Sequence, residues 1–411
     1  MAVTAQSTRQ EVRAHPGGDL DVVLLDAAQR QSLVAVRSLG RHGLAVGAFD
    51  EMPAAAGFSR WCSARGLLPG PEEAVFGEAL GGLLDRYAPE VVMAAHDGTI
   101  EALRATRAQL EQRTRLALAE EAALEIAVDK RLTLDLARSL GVDVPRGIDL
   151  REGDETRAAV AEVGLPVVAK PARSWVEHGG AARRLSGGLA TSLAEAERLV
   201  EGLRAAGATV ILQEWIPGGR ESVINCFAHG EFAASFALRV LRTHPPLGGS
   251  SVVRESVAPE SELVEPAQRL VRAVGLEGVS EVEFRRDARG RLVLMEINPR
   301  LPATVELAVR AGVDFPRLLY LWALDRPLPP AGPYRVGLRL RWLGGDLRWL
   351  AEAWRARGRP EITSARNATK TFVADFLRPA AYDYLHRDDL RPAAVAAARL
   401  IWQALHGPRR S

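Results

Sequence analysis

From about residue 19 onward, short apolar runs alternate with stretches of helical spacing. Residues 21–25 read as a buried strand. Residues 29–41 follow, with Leu33, Val36 and Leu39 on one side of a helix. Residues 44–49 form a second strand, 74–87 a helix and 91–95 a third strand, which ends at His96-Asp97-Gly98. Strands alternating with helices predict a small open parallel α/β sheet over residues 19–115. The polar segment ahead of it, residues 1–18, has no apolar signal-peptide core and reads as a disordered leader.

The pattern then shifts. Residues 116–205 begin with two helices that stop at Gly141, with Pro145 soon after. A helix, a strand at 167–170, a loop holding the paired Gly179 and Gly180, and a helix at 193–205 come next. In residues 206–326, strand 210–215 precedes two strand pairs. One, 222–227 with 232–241, turns at His229-Gly230; the other, 280–286 with 292–298, turns around 287–290. The middle of the chain is thus expected to be α+β, with helices covering strand pairs. Pro327, Pro329 and Pro330 mark a further boundary. Beyond it, residues 327–411 offer a strand at 334–342 and helices at 347–357 and 393–405.

Composition narrows the function. The chain has 411 residues, 47% hydrophobic and 25% charged, with a net charge of +2. That is ordinary for a globular chain of two or three domains, and it excludes a strongly basic nucleic-acid binder. No apolar run is long enough to cross a bilayer. Two cysteines make no disulfide framework and suit a reducing cytoplasm. No lysine follows a glycine and no Gly-x-Gly occurs, so neither the phosphate loop nor the dinucleotide fingerprint is present. Of 53 basic residues only three are lysines: Lys130, Lys170 and Lys370. A lysine kept against such a bias marks a place where a compact point charge serves and a planar fork does not.

The densest chemistry lies in Glu281-Val282-Glu283-Phe284 and Leu294-Met295-Glu296-Ile297-Asn298-Pro299-Arg300. Alternate strand residues share a face, so Glu296 and Asn298 point the same way, and an acid of the preceding strand can join them. Two carboxylates and an amide oxygen form a hard-oxygen set suited to Mg²⁺ that also holds phosphate.

These segments resemble the ATP-grasp superfamily, of the carboxylate–amine ligase kind related to carbamoyl-phosphate synthase and biotin carboxylase. Glu-x-Asn-x-Arg is similar to that family's metal strand. The resemblance implies metal ligands at Glu283, Glu296 and Asn298, with Arg300 on the reacting acyl phosphate. Val128-Asp129-Lys130-Arg131 and the strand ending Ala169-Lys170-Pro171 resemble the segments carrying the two nucleotide lysines. Gln213-Glu214-Trp215-Ile216-Pro217-Gly218 looks like the adenine hinge, through Glu214 and the backbone at Ile216, with Glu221 for the ribose hydroxyls. The loop after Lys170 is poorer in glycine than the family's phosphate-covering loop; Gly179 and Gly180 are the positions that let backbone N–H groups approach phosphate. The basic insert at residues 239–256 places Arg254 as the candidate fork for a substrate carboxylate.

The implied fold is an N-terminal open parallel α/β (pre-ATP-grasp) domain, ATP-grasp subdomains at 116–205 and 206–326, and a C-terminal extension. The extension is expected to cap the substrate side or to form an oligomer contact. The implied activity is an ATP-dependent carboxylate–amine ligase working through an acyl phosphate and releasing ADP and phosphate. A carboxylase or carboxylate kinase is the alternative on the same scaffold. The implied cofactors are ATP and Mg²⁺, with Mn²⁺ as a substitute. The partners are a small-molecule carboxylate and amine, with neither nucleic acid nor membrane, in the cytoplasm. Oligomeric state stays open, a homodimer being the common case.

Overall fold

A computed structural model describes residues 18–151, 153–178, 181–245, 249–355 and 362–406. The leader expected at 1–18 thus lies almost wholly outside the described residues, as do Gly179 and Gly180.

The N-terminal region is a five-stranded, all-parallel sheet. Its centre is Val22–Leu24, flanked by Val46–Asp50 and Val91–Met93, with Ala64–Leu67 and Arg115–Leu116 at the edges. Helix Arg30–Arg41 buries Leu33, Val36 and Leu39, as its spacing predicts. The edge strand Ala64–Leu67 is largely exposed and has no apolar run, so no pattern announced it.

A four-stranded antiparallel sheet follows, ordered Gly188–Ala190, Val167–Pro171, Val210–Glu214, Gly147–Leu150. The division expected at 205/206 cuts through it, because Val210–Glu214 lies in its interior, between Val167–Pro171 and Gly147–Leu150. Val167 and Ala169 pack with Val210 and Leu212 in one core with helices Thr156–Val163 and Leu193–Ala205. Strand alternation then leaves Lys170 on the opposite face. The segment after Lys170, read as a loop, contains a strand pair, Trp175–His178 with Ala181–Arg184.

The third sheet has seven strands. Arg220–Ala228, Glu231–His244, Ser250–Ser256, Gly278–Arg286 and Leu292–Asn298 form its antiparallel body. Both faces are covered. Val223, Phe227, Val282 and Phe284 pack against helix Ser261–Val274. Ile224, Cys226 and Phe236 pack against helices Arg30–Arg41 and Val305–Ala311.

The C-terminal extension is not a separate layer. Arg339–Arg341, the short core of the strand expected at 334–342, adds to the sheet beside Ser250–Ser256, and Ala381–Tyr382 continues it. Helices Leu343–Arg355 and Ala365–Ala374 pack on each other through Trp349, Ala353 and Ala368. The segment then returns to the N-terminal region. Asp383 pairs with Arg30 at 2.8 Å, and Asp389 pairs with Arg37 at 2.9 Å and accepts a hydrogen bond from Ser59 at 2.7 Å.

Candidate active site

The lysines come first. Asp129 caps helix Lys130–Ser139, its carboxylate accepting from the Arg131 N–H at 3.0 Å. The Lys130 N–H donates to the Ala172 carbonyl at 2.9 Å, tying the start of that helix to the chain just beyond Lys170. Two segments forty residues apart thus bring their lysines together. Lys130 Nζ donates to Ser174 Oγ at 3.0 Å and lies 3.9 Å from Glu296 Oε2.

The acids stand on neighbouring strands. Glu283 faces Glu296 directly across the ladder, and Glu281 faces Asn298. A β-bulge makes this possible. Leu292 and Leu294 point into the core, so strict alternation would carry Glu296 in with them. The register shifts between Glu283 and Phe284, leaving Met295 unpaired. The phase of the strand flips there, Ile297 takes the core position, and Glu296 and Asn298 turn to the site.

Asn298 donates to Glu283 at 3.3 Å and accepts from Arg300 at 3.2 Å. Arg300 Nε donates to Asp97 at 2.5 Å, and Arg220 lies 3.2 Å from Glu283. Burial, with the neighbouring Glu281 and Glu296 carboxylates, pushes Glu283 up to about 8 despite Arg220. Burial also works against the charge on Glu296, but Lys130 and Lys170 outweigh it and hold that carboxyl below its ordinary value. Burial draws Lys170 down, with Glu296 opposing and Lys130 adding to the effect. Asp97 is held low by Arg300 against burial. Glu283 and Glu296 face each other in a buried pair of strands, and a bound cation would relieve the repulsion that Arg220 and the lysines only partly offset. Among the described residues, no three His, Cys, Asp or Glu side chains form a metal site by themselves. The set fits Mg²⁺ as two carboxylates and an amide, with phosphate oxygens and water completing the shell.

A protein-family model described as "ATP-grasp in the biosynthetic pathway with Ter operon" matches residues 207–345. A D-alanine–D-alanine ligase of Alkalilimnicola ehrlichii is 30% identical over 225 residues, covering 50% of this chain and 68% of that protein. The chain belongs to the ATP-grasp family. It is an ATP-grasp enzyme of the ligase and carboxylase group. A formate-dependent phosphoribosylglycinamide formyltransferase of Anaeromyxobacter dehalogenans is 29% identical over 332 residues, 77% of this chain and 80% of that protein. The structure of a biotin carboxylase–β,γ-ATP complex from Campylobacter jejuni superposes with a TM-score of 0.61 at 17% identity, covering 78% of this chain and 74% of that one. At that identity it shares the fold.

Within this ATP-grasp chain, the residues expected from the sequence divide. Lys130, Lys170, Glu283, Glu296, Asn298 and Arg300 converge. At the hinge, Glu214 accepts from the Arg146 N–H and the Arg146 guanidinium, both at 2.9 Å. The Ile216 carbonyl accepts from Arg285 at 2.8 Å. Gly218 presses so close to the Arg286 backbone that an added Cβ would sit 1.8 Å from the Arg286 carbonyl oxygen. Gly218→Ala is therefore expected to shift the hinge and weaken ATP binding about tenfold or more, read by nucleotide titration; unchanged affinity would remove the hinge from the nucleotide site.

Two expectations fail. Glu221 pairs with Phe284 while Ser222 pairs with Glu283, so Glu221 lies on the face opposite the metal set. Its carboxylate is buried and held by Arg239 at 2.9 Å and Arg286 at 2.9 Å; it does not lie with Glu283, Glu296 and Asn298. Arg254 is fully buried. Its two terminal nitrogens are engaged by Asp383 and, at 3.3 Å, by the Ala303 carbonyl, and its unpartnered Nε is buried with the rest of the side chain, so no part of the fork is open to a substrate carboxylate.

The sequence reading missed Asp97 as the partner of Arg300, and it missed Arg220 and Arg285. Arg285 pairs with Arg220 across the ladder and shares the face of Glu283, two residues away, so it belongs to this cluster. The one available signal was strand parity: Arg285 is two residues from Glu283. Trp175 was passed over too. It packs edge-on to His96, with ring centroids 6.1 Å apart, and lies over Gly98, where an added Cβ would meet its ring at 2.6 Å.

Proposed function

We propose that this enzyme is an ATP-dependent carboxylate–amine ligase that forms an amide through an acyl phosphate and releases ADP and phosphate. The observation that carries this reading is the convergence of Lys130 and Lys170 on Glu296, with Glu283, Asn298 and Arg300 alongside. Lys130 and Lys170 bind and orient the phosphates of ATP as point charges. A substrate carboxylate oxygen attacks the γ-phosphorus, its bond to the β–γ bridging oxygen breaks, and ADP leaves. Arg300, fixed by Asp97 and Asn298, stabilises the charge on the transferred phosphoryl group. The amine then adds to the acyl carbon, loses a proton, and phosphate departs. Mg²⁺ held by Glu283, Glu296 and Asn298 would neutralise phosphate charge. Trp175 and its strand pair, packed on Gly98, exclude water that would hydrolyse the acyl phosphate. The two free cysteines, Cys62 and Cys226, suit the proposed cytoplasmic setting, and no helix of the described residues is long and apolar enough to cross a membrane.

The test is ADP and phosphate release with ATP and Mg²⁺ against pooled carboxylates and amines, with products read by mass spectrometry. ADP that rises only with one acid–amine pair, together with a condensed product, is expected. ADP release that needs bicarbonate and no amine would replace this reading by the carboxylase one. AMP and pyrophosphate would overturn the acyl-phosphate route.

A further inference from the structure

Open α/β sheets take ligands at the carboxyl ends of their strands. At that edge of the N-terminal sheet, the loop after Val22–Leu24 meets the C-terminal segment around a cavity of about 480 Å³. Ala28 and Gln29 form one wall, the start of helix Leu343–Arg355 another, residues 382–385 a third and helix Arg391–His406 the fourth. None of Lys130, Lys170 or Glu296 lines it.

The lining has a definite chemistry. Tyr382 and Tyr384 give aromatic walls, Trp342 lines the space with the Arg30 guanidinium 4.3 Å from its ring centroid, and Leu343, Leu347 and Leu400 give aliphatic walls. Across from them, Ala393 and Ala396 on the last helix are too small to fill the space. The volume lies in the range of small-molecule pockets, which are mostly apolar with a few convergent polar groups.

Its charge is unbalanced. Asp383, the acid of the lining, is already bracketed by Arg30 and Arg254. Arg341 is paired with Asp346 at 2.5 Å. Two lining cations remain. Arg399 has no hydrogen-bond or ion-pair partner among the described residues, its charge acting on Asp50 at longer range, and Arg348 donates to the Gln403 amide oxygen and lies 5.9 Å from the Trp342 ring centroid, with no acid in ion-pair reach there. Arg399 stands one helical turn before Gln403 on helix Arg391–His406, and Arg348 donates to Gln403, so the two guanidinium side chains line the same stretch of the cavity. An apolar, aromatic-walled space lined by two guanidinium groups that no acid pairs is complementary to a flat apolar body carrying a carboxylate.

We propose that this cavity is a binding site for an aromatic carboxylate, its ring against Tyr382 and Tyr384 and its carboxylate on Arg348 and Arg399. The proposal concerns binding and stands apart from the ligase reading. A full-length chain without nucleotide would be titrated calorimetrically with benzoate, 3-phenylpropionate and indole-3-propionate. One-to-one binding tighter than about 1 mM is expected for at least one of them. The amide of the best acid should bind at least about tenfold more weakly, as should that acid to the Arg348→Gln, Arg399→Gln double variant. Ala396→Trp should fill the cavity and abolish binding. All variants should keep wild-type ATP affinity, which certifies their fold because none touches the nucleotide site. No acid binding, equal affinity for the amide, or undiminished binding in either ATP-competent variant would each overturn the proposal.

Discussion

Glu296→Gln is expected to lower the rate of ADP formation at least about a hundredfold, the scale lost when one group that stabilises transition-state charge is removed. The change is isosteric. It keeps the strand, the bulge at Met295 and the volume of the side chain, but removes the charge that sits 3.9 Å from Lys130 and acts on Lys170. Two consequences follow from one substitution. The proposed metal set loses one of its two carboxylates, and the lysines lose a nearby counter-charge. Lys170→Ala should give a loss of similar size by removing a phosphate contact. Steady-state ADP release is the measurement, with circular dichroism to confirm folding. Turnover near the wild-type rate in a folded Glu296→Gln protein would take this cluster out of the reaction.

Asp383→Ala is expected to be the most destabilising single change outside the site. Asp383 is 3% exposed, and its carboxylate lies between Arg30, 9% exposed, and Arg254, fully buried. Truncation leaves two buried guanidinium groups without their acid, which costs about 3–5 kcal/mol for a broken buried pair. The loss should appear as a lower urea midpoint. It also has a pH signature. Burial opposes the charge on Asp383, but Arg254 and Arg30 hold its carboxyl below the ordinary value of 3.8. A carboxyl depressed in the folded state contributes its full stabilisation above the unfolded value and loses it as pH falls below that value. Wild-type stability should therefore fall as pH drops through about 3.8 and lower, and Asp383→Asn should flatten that limb. An unchanged midpoint in Asp383→Ala would show that the C-terminal segment is not held by this acid.

The same residue shows why the C-terminal segment resisted a sequence reading. Asp383 and Asp389 are single acids in a polar stretch. Their partners Arg30 and Arg37 lie on a helix some 350 residues earlier, and nothing local links them. Arg254 misled for the opposite reason. In a turn-rich basic insert, an arginine reads as a free fork, but the acid that engages it arrives from Ala381–Tyr382 and the residue after it. Glu221 failed on parity. The family resemblance placed it at the ribose, but register with Gly278–Arg286 turns it to the face opposite Glu283.

Where local pattern controls the outcome, the sequence was sufficient. The parallel α/β start follows from alternating strand and helix periods, because an apolar run or stripe must be buried wherever it goes. Glu296 and Asn298 could be placed on one face by strand parity, Lys130 and Lys170 stood out as two of three lysines, and the family resemblance singled out these together with Glu283 and Arg300. Where a contact joins distant segments, only the tertiary structure could decide. The bulge that turns Glu296 out of the core depends on the partner strand's register, not on the composition of Leu292–Asn298. The pairing of Arg300 with Asp97 and the cavity beneath helix Arg391–His406 likewise exist only once separate elements have packed. Sequence carries the period and chemistry of each element; the partners of a buried charge are set by which elements end up facing it.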